Sequence, residues 1–235
     1  AFRAAGIAYV VASATAFGAM AIFARYAYAD GVDTATLLAL RFVIAGAFLI
    51  GTCAIAGVAW PRGRDLATLV ALGAVGYDAQ AASFFTALTL APAGLVALLL
   101  YLNPASVAML AAWRGHDRLR PRTLAALAIA LTGTALTVGP ALAGGSGGTH
   151  PAGIALGVLA ALVYAVYIVV STDVAARVDP LAMSTVVIAS AAVPFAALAL
   201  ARGPAVPASA AGWSAVLSIA LVSTVAAITW FFAGL

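Results

Sequence analysis

Three observations predict that this chain is an all-α integral membrane protein. Hydrophobic residues make up 66% of its 235 positions, charged residues only 8%, and the mean hydropathy is +1.15. A soluble domain carries about 25% charged residues, so this composition cannot supply a water-facing surface. The apolar residues also form runs of about 20, long enough to cross a hydrocarbon core of about 30 Å as a helix. A membrane-spanning β-barrel would show stretches of roughly ten residues with alternating polarity instead.

Eight apolar runs have the required length, and helix-breaking residues separate them. Turn signals include Trp60-Pro61-Arg62-Gly63 and Arg202-Gly203-Pro204, while Gly and Ser fill residues 144–148 between runs five and six. The eight predicted spans are 6–24, 36–58, 66–90, 93–113, 123–142, 152–171, 181–201 and 211–235.

The distribution of arginine predicts which side of the membrane each loop faces. All eleven cations are Arg, and all seven anions are Asp. With the N-terminus in the cytoplasm, eight Arg residues fall on the inner side and three on the outer side, counting Arg41 within span two. Cytoplasmic loops carry the excess of positive charge, so we expect a multi-pass protein of the bacterial cytoplasmic (inner) membrane with a cytoplasmic N-terminus.

The sequence contains no pattern typical of a metal, cofactor or nucleic-acid site. Its single cysteine, Cys53, lies within a span, where helix packing is its expected role, and its two His residues, His116 and His150, lie in loops. The formal charge of +4 comes from Arg residues in short gaps between spans, which the positive-inside rule explains without a nucleic acid. We expect the partners to be a small-molecule substrate and the lipid bilayer, with no cofactor and no metal, and the protein to be a monomer.

The chain also contains an internal repeat. Gly6-Ile7-Ala8 recurs as Gly153-Ile154-Ala155 and Phe84-Phe85 as Phe231-Phe232, both at an offset of 147, while Val32-Asp33 matches Val178-Asp179 at an offset of 146. Each match is weak, but a nearly constant offset across three helices indicates a duplication.

The repeat predicts how the chain is organised. Residues 1–143 form a first five-helix repeat, 144–150 a Gly-rich linker, and 151–235 a second repeat that is truncated after its third helix. Because five is an odd number of spans, the second repeat starts on the opposite side of the membrane from the first, and the two repeats have inverted topology. This arrangement is typical of transporters with a binding site between the repeats. We therefore expect inverted five-helix repeats with ten spans in the natural protein, of which eight are present in this chain.

Three segments resemble a known family. They are LLALRFVIAGAFL in span two, ALTLAPAGLVALLLYLNPASVAMLAAW across spans three and four, and DRLRPRTLAALAIALTGTAL leading into span five. In order and spacing they resemble the EamA-type transporters of the drug/metabolite transporter superfamily. Within that family the chain most resembles the YddG-type bacterial amino-acid exporters. The resemblance implies a ten-helix exporter or permease of small metabolites. The family motif Gly-Glu-Arg-Leu is replaced here by Gly115-His116-Asp117-Arg118-Leu119, so Asp117 takes the place of the acid.

Polar residues at membrane depth are the first candidates for a binding site, because burying an ionisable group there costs about 2.5–3.5 kcal/mol on insertion scales. Asp78, at the middle of span three with Gln80 nearby, is a candidate to bind a substrate ammonium group or to carry a coupling proton. A helix–helix hydrogen bond or an ion pair with Arg41 is the structural alternative. Arg41 itself is expected to lock helices together or to reach the interface, or else to bind a substrate carboxylate.

Broken helices and aromatic side chains supply the remaining candidates. Asn103 and Pro104 interrupt span four, where a proline frees a carbonyl that can line a cavity; Pro104, Arg41 and Asp117 are assigned structural or gating roles. Aromatic residues at interior depths are expected to wall a cavity, although lipid-facing packing accounts for many such side chains. The predicted substrate-binding residues are Tyr77, Asp78, Gln80, Phe84, Tyr101, Asn103, Tyr164, Tyr167 and Trp230.

These features favour a transporter that works by alternating access. Exported neutral or aromatic amino acids are the substrates that the family resemblance implies. An intramembrane enzyme, a channel and a structural membrane subunit remain alternatives. The sequence has no second acid at depth to pair with Asp78 in a catalytic dyad and no ring of like charges to line a channel.

Overall fold

The computed structural model describes residues 2–114, 121–142 and 149–234, which form eight helical stretches without a strand. The third helix consists of two α-helical segments around a π-helical one, the fourth of two α-helical segments around a short 3₁₀ turn, and the eighth again contains a π-helical segment. The helices are α1 (Phe2–Ala29), α2 (Thr34–Ala56), α3 (Gly63–Ala71, Leu72–Tyr77 and Asp78–Leu90), α4 (Ala93–Leu99, Leu100–Leu102 and Asn103–Trp113), α5 (Pro121–Leu142), α6 (Pro151–Ala175), α7 (Pro180–Arg202) and α8 (Ala210–Ala220, Leu221–Ala226 and Ala227–Gly234).

The all-helical membrane fold predicted from the sequence is confirmed. Within the described ranges, six helices are long and apolar enough to cross a membrane: α1, α2, α4, α6, α7 and α8. Of the other two helices, α5 contains the apolar stretch Leu127–Leu136, and α3 carries Asp78 and Gln80 near its middle, which lower its hydropathy. Each predicted span coincides with one of the eight helices, with ends that differ by a few residues.

Aspartate side chains cap the first turns of two helices, at positions that match each other in the predicted repeat. The carboxylate of Asp33 accepts hydrogen bonds from the backbone N–H groups of Ala35 at 2.8 Å and Thr36 at 3.1 Å, and so caps α2. Asp179 caps α7 in the same way, accepting from Leu181 N–H at 2.8 Å. Such caps satisfy amides that the first turn of a helix leaves without a partner. The two caps are 146 positions apart, the offset of the Val-Asp match in the sequence.

Prolines act differently in two helices. Span four is interrupted, as the sequence predicts, but the 3₁₀ turn Leu100–Leu102 precedes Pro104, and the following α-helical segment starts at Asn103. This placement puts Pro104 in a first turn, where no N–H donor is needed. Pro194, in contrast, lies inside α7, and the helix continues to Arg202.

The chain forms two compact units. The first unit contains the residues up to Asp78 together with those from Asp173 onward, and the second contains Ala79–Thr172. The first unit therefore combines α1, α2 and the beginning of α3 with α7 and α8.

The core of the first unit is built by the close packing of α2 on α7 and of α1 on α8. A Cβ atom at Gly46 of α2 would lie 3.6 Å from the Cα atom of Ala189 in α7, and Cys53 lies buried at this contact with its sulfur 3.1 Å from the Thr185 hydroxyl. On the other side, the Ser13 hydroxyl donates to the Ala227 carbonyl at 2.7 Å. Small residues at such crossings let helices approach closely, as packing within a bilayer requires.

The second unit contains the rest of α3 with α4, α5 and α6. A Cβ atom at Gly157 of α6 would lie 2.6 Å from the side chain of Leu99 in α4. His150 fixes the start of α6, because its N–H donates to the Leu90 carbonyl at 2.8 Å and its Nδ1 accepts from Ala152 N–H at 3.1 Å.

Candidate functional site

The core of the first unit contains a buried cluster of polar side chains around Arg41, which is only 2% exposed. Arg41 Nε donates to the Thr224 hydroxyl at 2.7 Å, and Arg41 Nη2 donates to the Tyr77 hydroxyl at 2.9 Å. We call Arg41, Tyr77 and Thr224 the Arg41 cluster. It joins three helices, because Arg41 lies on α2, Tyr77 on α3 and Thr224 on α8.

Aromatic rings complete the surroundings of the guanidinium group. Its carbon lies 4.8 Å from the centroid of the Phe42 ring and 5.7 Å from that of the Tyr77 ring. Phe42 in turn contacts Tyr77 and Phe195, with centroid separations of 5.6 and 5.8 Å. A cation held over ring faces and by hydrogen bonds is stabilised without water. This environment explains how an arginine is accommodated in an apolar helix.

The Arg41 cluster connects the two π-helical segments of the fold. Tyr77 is the last residue of Leu72–Tyr77, and Thr224 lies within Leu221–Ala226. The Thr224 hydroxyl also donates to the Ile219 carbonyl at 2.9 Å, a bond to the fifth preceding residue. Single π turns inside α-helices frequently occur at functional sites. The Arg41 side chain therefore links the irregular turns of two helices that the sequence repeat pairs with each other.

Asp78 directly follows Tyr77 and is 7% exposed. Both of its carboxylate oxygens are buried and have no hydrogen-bond partner in the described part of the chain. The helix–helix hydrogen bond considered as the alternative role of Asp78 is therefore not formed with any described residue. Because a buried carboxylate without a partner is energetically costly, Asp78 is available for a ligand or a proton.

The other predicted binding residues lie in both units. Tyr77, Asp78 and Trp230 belong to the first unit, and Trp230, on α8, is half-buried. The remaining candidates belong to the second unit: Gln80, Phe84, Tyr101, Asn103, Tyr164 and Tyr167.

Within the second unit the candidates differ in burial. Phe84 is buried and contacts Phe85 edge-on at 5.5 Å between centroids, and Tyr164 stacks on buried Tyr167 at 5.9 Å. Asn103 is buried with its amide nitrogen lacking a hydrogen-bond partner among the described residues, and Gln80 is half-buried.

Two of the candidate residues near the break in α4 are exposed rather than buried. Tyr101 is 67% exposed, and Pro104 is also exposed. Asp117, assigned a structural or gating role from the sequence, lies outside the described residues.

Sequence reasoning missed Thr224 and its buried neighbour Ser223. The sequence feature that could have identified them is a pair of adjacent hydroxyl side chains in the middle of span eight, which is otherwise apolar. The Ser223 hydroxyl is fully buried and has no hydrogen-bond partner among the residues that the structure describes. At the repeat offset of 147 the counterpart of Asp78 is the apolar Val225, which directly follows these two residues.

Charged residues also connect segments at the helix ends of the first unit, through an ion pair on one side and hydrogen bonds on the other. On the side predicted to be cytoplasmic, Arg177 Nη2 lies 2.8 Å from Asp65 Oδ1, and this contact holds the pKa of Asp65 below its usual value. On the opposite side, Asp30 Oδ2 accepts hydrogen bonds from Ala208 N–H at 2.9 Å and from Ser209 N–H at 3.0 Å. Hydrogen bonding by Ser209 lowers the pKa of Asp30.

Long apolar helices, a buried guanidinium network and an unpartnered carboxylate define a multi-pass helical membrane protein with polar groups held at membrane depth. The profile of the EamA-like transporter family matches residues 4–139 and 151–235. The chain belongs to this family, so the family resemblance predicted from three sequence segments is confirmed. Proteins of the family are membrane transporters of small molecules rather than enzymes, and the chain is assigned to that class.

Several solved structures are similar to this chain, and one of them is a crystal structure that matches nearly its whole length. The similarity covers 98% of this chain and 80% of the other, with a TM-score of 0.74 and 27% sequence identity. No curated protein matches the sequence significantly.

Proposed function

We propose that the protein exports neutral amino acids, aromatic ones among them, across the bacterial cytoplasmic membrane by alternating access, and that Asp78 receives the substrate ammonium group. The observation that carries the proposal is the Asp78 carboxylate, which is buried with both oxygens lacking a partner among the described residues. A charged group in this position is stabilised by an opposite charge that arrives with a ligand.

The Arg41 cluster supports this role because it fixes the residue next to Asp78 in the chain. The Tyr77 hydroxyl is held by Arg41, and the backbone N–H of Asp78 bonds back into the π-helical segment, to the carbonyls of Gly73 and Val75. A binding carboxylate must be held in place by its neighbours to select a ligand. Arg41 is thus a positioning residue. The proposal that the protein exports amino acids rests on the resemblance to YddG-type proteins.

We also infer that the chain consists of two repeats, residues 1–143 and 151–235, joined by the linker 144–150. The paired helix caps Asp33 and Asp179 and the paired π-helical segments of α3 and α8 support this division. In such a transporter the two repeats move relative to each other and expose the site to one side at a time.

The test is counterflow of labelled amino acids in proteoliposomes that contain the full-length protein. Vesicles loaded with unlabelled phenylalanine or leucine should accumulate the labelled compound transiently and with saturation, and Asp78→Asn should reduce this uptake at least tenfold. Linear, non-saturating flux would favour a channel. The absence of exchange for every neutral amino acid, with folded protein in the vesicles, would refute the proposed substrate class.

A further inference from the structure

The first unit carries an open apolar groove that the proposed transport function does not use. It has a volume of about 440 Å³ and lies between α2, the first half of α3 and α7. Its lining includes Ile50, Trp60, Leu66, Ala74, Val193 and Pro194. The one hydroxyl in the lining, that of Ser190, is turned away because it donates to the Val186 carbonyl at 2.6 Å.

From these features we infer that the groove binds one acyl chain of an anionic phospholipid whose phosphate is held by Arg62 and Arg64. An almost purely apolar groove offers nothing to a polar metabolite but fits a hydrocarbon chain. On α3 the groove extends from Leu66 to Ala74, which at 1.5 Å per residue is about 12 Å. This length is close to one leaflet, half of a hydrocarbon core of about 30 Å.

The charge at one end of the groove identifies the lipid class. Trp60 and Leu66 lie at the end of the groove where α3 begins, and the exposed Arg62 and Arg64 lie between them in the chain. Arg62 makes no hydrogen bond or ion pair with the described residues, and its side chain does not cap α3. Arg62 and Arg64 flank Gly63, the first residue of α3, so two positive charges lie next to a helix N-terminus, which itself favours phosphate.

The one acidic residue in this first turn does not cancel the attraction. Asp65 forms an ion pair with Arg177 at 2.8 Å and also attracts Arg64, so two arginines face this one acid and Arg62 adds a further positive charge. The arginine bias places this end of the groove at the cytoplasmic surface, where anionic lipids and juxtamembrane arginines attract each other. Trp60 beside it is at the depth where tryptophan anchors a helix in the interface.

Lipid titration of the full-length protein in a neutral detergent tests the inference without measuring transport. Dioleoylphosphatidylglycerol and dioleoylphosphatidylcholine have the same acyl chains, so their difference reports the headgroup. Native mass spectrometry should show a retained phosphatidylglycerol with a higher affinity than phosphatidylcholine. Arg62→Gln should weaken its binding about fivefold, and the Arg62→Gln/Arg64→Gln double variant about twenty-fivefold.

Two control variants separate this site from non-specific attraction. Arg202→Gln removes one exposed positive charge from the opposite end of α7 and should leave lipid binding unchanged. Val193→Trp should fill the groove and reduce binding, whereas Ile55→Trp, at a position that is 91% exposed and outside the groove, should not. Equal affinities for the two lipids, or an undiminished preference for phosphatidylglycerol in the double arginine variant, would overturn the inference.

Fluorescence gives a second measurement that does not depend on folding of the arginine variants. Phosphatidylglycerol brominated on its acyl chain should quench the wild-type protein more strongly than brominated phosphatidylcholine does at the same concentration. Trp60→Phe should remove that difference, because Trp60 is the indole that lines the groove. If the difference persists in Trp60→Phe, the lipid is bound elsewhere and the assignment is wrong.

Discussion

Arg41 and Thr224 are joined by a hydrogen bond of 2.7 Å although 183 positions separate them in the chain. The bond connects α2 with the π-helical segment of α8, and a second bond from the same guanidinium group connects α2 with the π-helical segment of α3. A buried arginine that donates to both segments keeps two irregular turns in a fixed relationship. The Arg41 cluster is therefore a structural link between the two repeats inferred for this chain.

Breaking either bond of the Arg41 cluster should destabilise the protein. Tyr77→Phe and Thr224→Val each remove a hydrogen-bond acceptor of the buried Arg41 guanidinium group, and the loss of such a bond costs about 1–3 kcal/mol. The free energy of unfolding in detergent, followed by circular dichroism, measures the change. The double variant should show a non-additive effect, because both residues bond to the same side chain.

Ser223→Ala is the matched control for Thr224→Val. Its hydroxyl is buried beside Thr224 and has no hydrogen-bond partner within the described residues. Removing it should leave stability unchanged or slightly raise it. A loss as large as that of Thr224→Val would show that the effect comes from packing in α8 and not from the bond to Arg41.

Asp78→Asn should raise stability while it lowers transport. The neutral amide replaces a buried carboxylate that lacks a hydrogen-bond partner in the described part of the chain, so the folded protein loses an energetic penalty, and the substrate loses its charged partner. The melting temperature and the rate of amino-acid counterflow are measured on the same preparation. The substitution also removes a titratable group, so any pH dependence of transport that arises from Asp78 should disappear.

Asp179→Asn provides the comparison for Asp78→Asn. Asparagine also caps helices, so α7 should retain its first turn, and neither stability nor transport should change much. An unchanged pH profile in Asp78→Asn would eliminate Asp78 as a proton carrier, and unchanged transport would eliminate it as a substrate ligand.

Gly73→Ala should force α3 away from α7. The added methyl group would overlap the carbonyl oxygen of Val187 and would lie 2.9 Å from Ser190 Cβ. Because the backbone of α7 must move, we expect a loss of about 1–3 kcal/mol in the free energy of unfolding. Gly51→Ala on α2 is the control, since no described residue beyond its own turn of the helix lies within 4 Å of the added methyl group. That substitution should be neutral or should stabilise by about 0.5–1 kcal/mol.

The ion pair between Asp65 and Arg177 should be insensitive to pH in the neutral range. The pKa of Asp65 in the folded protein lies below that of a free aspartate, about 3.9. Its contribution to stability is thus fully present above that value and is lost as the pH falls through the lower folded-state pKa. The difference in melting temperature between the wild type and Asp65→Asn should be constant from about pH 5 to 8 and should shrink toward about pH 3.

A charge exchange tests the geometry of the same pair. Asp65→Arg places two arginines together and should lower the melting temperature, and Asp65→Arg/Arg177→Asp should restore it. Since both side chains are partly exposed, the effects should diminish as the salt concentration rises. A double variant as unstable as the single one would show that the pairing is not responsible.

The sequence predicted the helices well because lipid-crossing segments are marked by length and composition alone. Asp78 was also identified correctly as a buried group, since an acid within an apolar run is carried into the membrane together with the helix around it. Thr224 was not predicted as part of the site because a threonine in a helix commonly bonds to the backbone of its own helix. The local sequence does not distinguish Thr224 from such an ordinary helical threonine. The π-helical segments left no local sequence signal, and in the structure they pack against α1, α2 and α7 and bond to the side chain of Arg41.

The distance along the chain between Arg41 and Thr224 has a consequence for biosynthesis. At about 5–20 residues per second, on the order of 10 to 40 s pass between the synthesis of these two residues, which are 183 positions apart. Arg41 therefore enters the bilayer long before its partner on α8 exists. During that interval Phe42 and then Tyr77 are the partners of Arg41 that already exist, so the early helices must hold the buried cation without α8.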